Sequence, residues 1–324
     1  MKLLFALILL LPLSTATAQP PLGPEGKTVQ QWADQLNSAE FRQQWHAAYV
    51  LGTLGPKAAM AVPALHAVLV EVNSRNEYNN EYVRSMAVWA LGRIGSAAES
   101  EIPFLIETMR STKLLSMSRR TAEALGNFGP AAKPAVTELL KMLSKDDEIT
   151  RVNAAVALWK IESHPKALPA LLEMLRHGNA SQAYRAAVAL GQMEKEADTV
   201  APALIEALHT PDADVRRAAA RSLGQLGKAA FPSLKKANAL QNPDAEARRM
   251  VIEALSWIGR DAVPALTAAL QNTSPAVRRA AARALGNLGA DAQSARSALE
   301  TAASDPQEDV RTAAAKALQR IRGE

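Results

Sequence analysis

There is no cysteine anywhere in these 324 residues. Its absence excludes disulfides, thiol chemistry, thiolate metal sites and a lipid-modified cysteine near the N-terminus. Stability has to come from packing alone. Aromatic residues are only 4% of the chain, too few to build a core, although hydrophobic residues together reach 48%. Alanine and leucine are left to fill the interior, and both lose little side-chain entropy in a helix. Charge of one sign is scarce as well: 37 basic against 32 acidic side chains give a formal +5. Residues 19–200 balance at 19 of each, while residues 201–324 carry 17 basic and 13 acidic side chains. That excess is too mild to mark a nucleic-acid binder on charge alone.

The motifs of common catalysis are missing too. No Gly-x-Ser-x-Gly elbow occurs. The stretch "GPEGKT" at 23–28 ends like a phosphate-binding loop. Only two residues separate its glycines, however, and no strand pattern precedes it.

One segment stands apart. "MKLLFALILLLPLSTATAQ" has a single positive charge at Lys2, an apolar run Leu3–Leu11, and small residues Ala16-Thr17-Ala18 before Gln19. This is the layout of a secretory signal peptide over residues 1–18. Its apolar run is far short of the roughly 20 residues that span a bilayer. The expectation is an exported protein, periplasmic or secreted, starting near Gln19, with no integral membrane segment after cleavage.

From Gln19 onward the chain repeats itself. Val277–Gly289 reads "VRRAAARALGNLG" and Val215–Gly227 reads "VRRAAARSLGQLG". Aligned on the leucine of "ALG", nine copies follow one another at intervals of 30 to 40 residues: Leu51, Leu91, Leu125, Leu158, Leu190, Leu223, Leu255, Leu285 and Leu318. They leave no room for a separate domain in 19–324. Each unit has a segment opened by proline, such as "VPALHAVL" at 62–69 or "VPALTAAL" at 263–270. Proline suits the first turn of a helix, where its missing N–H is no loss. The second segment is the repeated motif, closed by glycines that end the helix. With the leucine numbered −1 and the next residue 0, positions −9, −6, −5, −2, −1 and +2 share one helical face. In the copy ending at Gly289 these are Val277, Ala280, Ala281, Ala284, Leu285 and Leu288, an alanine-rich face made for close packing.

This pattern, with Pro-Ala-Leu following, resembles the short HEAT-like repeat of the phycobilisome-lyase type. It covers all nine units, most clearly those ending at Gly95, Gly227 and Gly289; the fourth departs at Trp159 and Glu162, the last at Gln319 and Arg322. The resemblance implies an all-α fold, an α-solenoid of about nine stacked helix hairpins. One HEAT-like enzyme, deoxyhypusine hydroxylase, carries iron on paired His-Glu motifs. None of the five histidines here is followed by glutamate, and none lies three or four residues from another. Glu173/His177 and Glu206/His209 fall near expected helix C-termini, where histidine interacts well with the helix dipole. Lyase chemistry on bilins belongs to the cytoplasm and sits poorly with export. The sequence therefore predicts no catalytic residue, no metal and no cofactor.

Positions −7, −3 and +1 lie opposite the packing face. They hold Trp45, Tyr49, Trp89, Arg93, Tyr184, Arg217, Arg221, Arg249, Trp257, Arg279 and Arg283, with Trp159 beside them at position 0. The resemblance makes this stripe the concave face of the solenoid. Tryptophan, tyrosine and arginine are the side chains most enriched at binding hot spots. The expectation is a non-enzymatic scaffold for a protein or extended peptide; the alternative is an acidic polysaccharide or nucleic acid held by the basic C-terminal end. Arginine at −8 (Arg84, Arg151, Arg216, Arg248, Arg278, Arg311) is expected to tie each helix to the loop before it.

Overall fold

The leucine spacing of the repeats is the spacing of helix pairs. The computed structural model describes residues 24–70, 77–144, 147–236, 239–241 and 245–323, so the predicted signal peptide lies outside the described residues. The chain divides into two compact units, Met1–Ala98 and Glu99–Glu324. The first contains α1 (Val29–Gln35), α2 (Phe41–Leu54), α3 (Val62–Val70) and α4 (Glu77–Ile94). The second begins with α5 (Ile102–Ser111), α6 (Leu115–Asn127), α7 (Val136–Leu143), α8 (Glu148–Glu162), α9 (Ala167–His177), α10 (Ala180–Leu190) and α11 (Ala197–Ala207). It continues with α12 (Ala213–Gln225), α13 (Phe231–Lys236), α14 (Ala245–Ile258), α15 (Val263–Ala269), α16 (Pro275–Leu288), α17 (Arg296–Ala302) and α18 (Glu308–Arg322). Short 3-10 turns link them, and no strand occurs among the described residues. These are nine pairs, and each aligned leucine sits in the second helix of its pair.

Within each unit the second helices make the most extensive contacts, α2 with α4, α6 with α8, α16 with α18. That explains why the buried arc is wider than the sequence pattern predicts. Val277, Ala281, Ala284 and Leu285 are buried as expected, but so are Ala282 at −4 and Gly286 at 0. Position −4 is buried in eight of the repeats, from Ala48 and Val88 to Ile252 and Ala282. Only Ala315, in α18, is exposed. Within each unit a second helix packs on the next second helix as well as, in every pair but α13 and α14, on its own first helix. The glycine at 0 marks the closest point of that approach: a Cβ on Gly286 would lie 2.8 Å from the Ala317 Cα, and one on Gly126 2.9 Å from the Ala157 Cα.

The second glycine has a separate reason. Gly227 has φ +60 and Gly289 φ +55, a left-handed backbone that turns the chain from one pair into the next. The fourth repeat lacks this glycine, so α8 runs through Glu162 and Ser163 takes the left-handed conformation at φ 48. Two prolines depart from expectation: Pro134 lies in the 3-10 turn before α7, and α11 begins at Ala197, leaving Pro202 inside it. The run Phe41–Val70 has the length and hydropathy of a membrane span. It breaks at Gly55 (φ +57) into helices of 14 and 9 residues, each short of the ~20 needed to cross.

Three of the arginines at −8, Arg216, Arg278 and Arg311, tie the loop before their helix through backbone carbonyls, whereas Arg151 lies 3.8 Å from Glu173. Arg216 Nη1 donates to the Thr210 and Pro211 carbonyls, both at 2.7 Å, and Arg311 Nη1 to those of Asp305 and Pro306 at 2.8 and 2.9 Å. Arg119, at −7, meets Asp147 of the following loop. Burial pushes the Asp147 carboxyl up, but hydrogen bonds from Arg119 and Thr150 hold it below the usual carboxylate range.

Candidate functional site

In the first unit the predicted stripe forms a continuous aromatic run. Trp45 and Tyr49 stand one turn apart on α2 with parallel rings, centroids 5.6 Å apart. Across to the next repeat Tyr49 stacks on Trp89 of α4 at 5.8 Å. Trp89 is half-buried because its ring lies on the bare backbone of Gly52, where a Cβ would approach Cζ3 to 2.3 Å. Tyr49 is the exposed member at 42%, and Arg93, one turn beyond Trp89, is exposed as well. Beside Trp45 a groove of about 740 Å3 is lined by Gln35, Phe41, Arg42, Gln43, His46 and Tyr82. Phe41 and Tyr82 are exposed, and the sequence pattern did not select either one. Phe41 opens α2 and Tyr82 lies in the second turn of α4, both outside the −7, −3, +1 register.

The fifth tryptophan supports this corner from below. Trp32 is fully buried, meets His46 edge-on with centroids 5.3 Å apart, and carries Lys27 Nζ 4.1 Å over its ring. The Gly-Lys-Thr that ends like a phosphate loop is thus the entry to α1. Thr28 accepts from Gln31 N at 3.2 Å and Gln31 Oε1 accepts from Thr28 N at 2.8 Å, a reciprocal helix cap.

In the second unit the stripe residues differ in what they touch. Trp159 is half-buried against the core, and its indole N–H donates to Glu196 Oε1 at 3.2 Å, so it joins repeats. Tyr184 is exposed in the middle of α10, beside Asp212 and Asp214. Arg217 pairs with Asp214. Arg249 grips both oxygens of Glu246, at 2.9 and 2.7 Å. That hydrogen bonding holds the Glu246 carboxyl below its usual range and raises the Arg249 guanidinium. Arg279 meets Asp309 of the next repeat at 2.7 Å. Arg221 lies 5.6 Å from the Trp257 ring centroid, and Trp257 is 57% exposed. Arg283 is exposed and has no ion-pair partner among the described residues. The histidines stay apart: His177 ends α9, and His164 Nδ1 accepts from the Lys166 backbone N–H. Among the described residues no three His, Cys, Asp or Glu side chains converge as a metal site.

The model for HEAT repeats matches residues 29–118, 102–191, 176–238 and 237–319. This chain belongs to the HEAT-repeat family. Its fold is an all-α solenoid, like those of two solved structures. Importin beta, crystallised in an ammonium sulfate condition, matches with a TM-score of 0.52 at 14% identity over 91% of this chain. Kap95 in a complex with Nup1 matches with a TM-score of 0.50 at 14% identity over 91% of this chain. The HEAT-repeat chain spans 45% of the length of each. No curated protein matches it in sequence.

Proposed function

We propose that this HEAT-repeat protein is an exported, non-enzymatic scaffold that binds a protein or extended peptide on the exposed face of its second helices. The observation that carries the reading is the stack of Trp45, Tyr49 and Trp89 beside the groove of Phe41 and Tyr82. A core already filled by alanine and leucine has no need of exposed aromatic rings there. Tyrosine and tryptophan supply large, rigid contact area at low entropy cost. A protein partner is also what one fold neighbour, Kap95, holds in its complex with Nup1. The exported location rests on the tripartite pattern of residues 1–18. The polyanion reading gains less support, because Arg217, Arg249 and Arg279 already face carboxylates of the same chain.

Peptide display on the purified protein tests the binding claim. A selected consensus that binds the native protein and is lost with Tyr49→Ala, while folding is unchanged, supports the scaffold. Failure to select any consensus overturns it. N-terminal sequencing of the protein that accumulates in its host tests export: a chain starting near Gln19 is expected, and one retaining Lys2 would refute cleavage.

A further inference from the structure

The basic side chains of α12 to α18 form two rows of different character. At −7, Arg217, Arg249 and Arg279 are neutralised by an acidic row at −10, made of Asp214, Glu246 and Asp309. At −3 and +1, Arg221, Arg283, Lys316 and Arg320 are exposed and have no carboxylate partner among the described residues. Arg320 Nη1 instead donates to Asn287 Oδ1 at 2.6 Å, which leaves the Asn287 amide NH2 as a donor. On α14 the pattern changes. Its −3 residue is Glu253, 3.6 Å from Arg249, and its +1 residue is the exposed Trp257. From α12 to α18 the row therefore reads cation, aromatic, cation, paired cations.

We infer that this row binds an extended acidic segment of a protein partner, with one apolar side chain set inside the acidic run. Packed helices lie about 8–10 Å apart. The close approaches at Gly224 to Trp257 and at Gly286 to Ala317 put these helices at the near end of that range. An extended peptide in the polyproline II conformation has three residues per turn and rises about 3.1 Å per residue, so every third side chain lies on one face, about 9 Å from the last, and meets the next helix. The matching order is acidic at Arg221, apolar at Trp257, acidic at Arg283, and acidic at Lys316 and Arg320. A nucleic acid or sulfated polysaccharide fits less well, because its even charge would run past the neutral α14 and the exposed Asp214 and Asp309. The inference rests on the scaffold reading and narrows it to one class of ligand.

The test is fluorescence anisotropy with a labelled ten-residue peptide. It carries aspartate at its first, seventh and tenth positions, leucine at its fourth, and serine or alanine elsewhere. A shuffled peptide of the same composition, a short duplex DNA and a heparin octasaccharide serve as competitors. The spaced peptide is expected to bind about tenfold tighter than the shuffled one, and Arg283→Glu with Lys316→Glu to weaken it about tenfold or more. Arg279→Gln, in the neutralised row, should change it less than about twofold. Trp257→Ala, on a surface position, should abolish the preference for leucine without changing the circular-dichroism melt. Equal binding of spaced and shuffled peptides overturns the inference, as does tighter binding of DNA or octasaccharide. If the designed peptide fails while display-selected peptides still bind at Tyr49, this inference falls and the scaffold stands; if neither binds, both fall.

Discussion

Arg278 and Asp305 join two repeats through a single guanidinium. Nε and Nη2 donate to the two Asp305 oxygens at 2.7 and 2.9 Å, while Nη1 holds the Asn272 and Thr273 carbonyls of the preceding loop at 2.9 and 3.2 Å. Both side chains are largely shielded from water. Asp305 also accepts from Gln307 N at 2.9 Å, so one carboxylate organises the loop that opens α18.

Hydrogen bonding from Arg278 holds the Asp305 carboxyl below its ordinary range, against the opposing effect of burial. A depressed carboxylate contributes stability that is present above the unfolded pKa and lost as pH falls through the folded one. Acid titration of unfolding should therefore show stability falling below about pH 4. Asp305→Asn should remove about 2 kcal/mol at neutral pH and flatten that acid slope. Denaturant melts across pH check both, and an unaltered slope would count against the tie.

Gly286→Ala offers a prediction whose sign is informative. In an exposed helix this change stabilises by up to about 1 kcal/mol. Here the new Cβ would stand 2.8 Å from the Ala317 Cα, so α16 and α18 must separate. The expected outcome is destabilisation by about 1–3 kcal/mol, measured by thermal or urea unfolding.

Ser163 carries the opposite expectation. Its left-handed backbone costs an L-residue roughly 1–2 kcal/mol that glycine does not pay, partly offset by glycine's greater unfolded-state freedom. Ser163→Gly should raise stability by about 0.5–1 kcal/mol. A lower melting temperature would show that its side chain does more than the backbone suggests.

Tyr49 and Trp89 should separate binding from folding. Tyr49→Ala removes a ring that is 42% exposed but stacked on both sides and should cost about 1 kcal/mol of stability while weakening a selected peptide by about 2 kcal/mol. Trp89→Ala uncovers Gly52 and should cost about 2–3 kcal/mol of stability as well. Calorimetric melts and peptide titrations on both variants distinguish the two roles.

Periodicity alone determined most of the architecture. Nine leucines at a near-constant interval, a proline-opened segment and a glycine-closed segment specify helix pairs, because a 3.6-residue helix shows its packing face as a repeated pattern. The stripe opposite that face followed from the same geometry. Arg217 and Arg249 pair with Asp214 and Glu246 three residues away on their own helices, but periodicity could not decide how the other stripe residues are occupied where that depends on side chains about one repeat away. Trp159 reaches Glu196 thirty-seven residues on, Arg279 reaches Asp309, and Trp89 settles on Gly52 of the preceding repeat. Position −4 reads as half-exposed on an isolated helix and is buried because a neighbouring second helix covers it. Phe41 and Tyr82 fell outside the register altogether, and only the packing of α2 beside α4 brings them to one groove. Helix identity and the pairs within one helix are local in sequence, whereas the pairing of Trp159, Arg279 and Trp89 is decided by contacts between repeats.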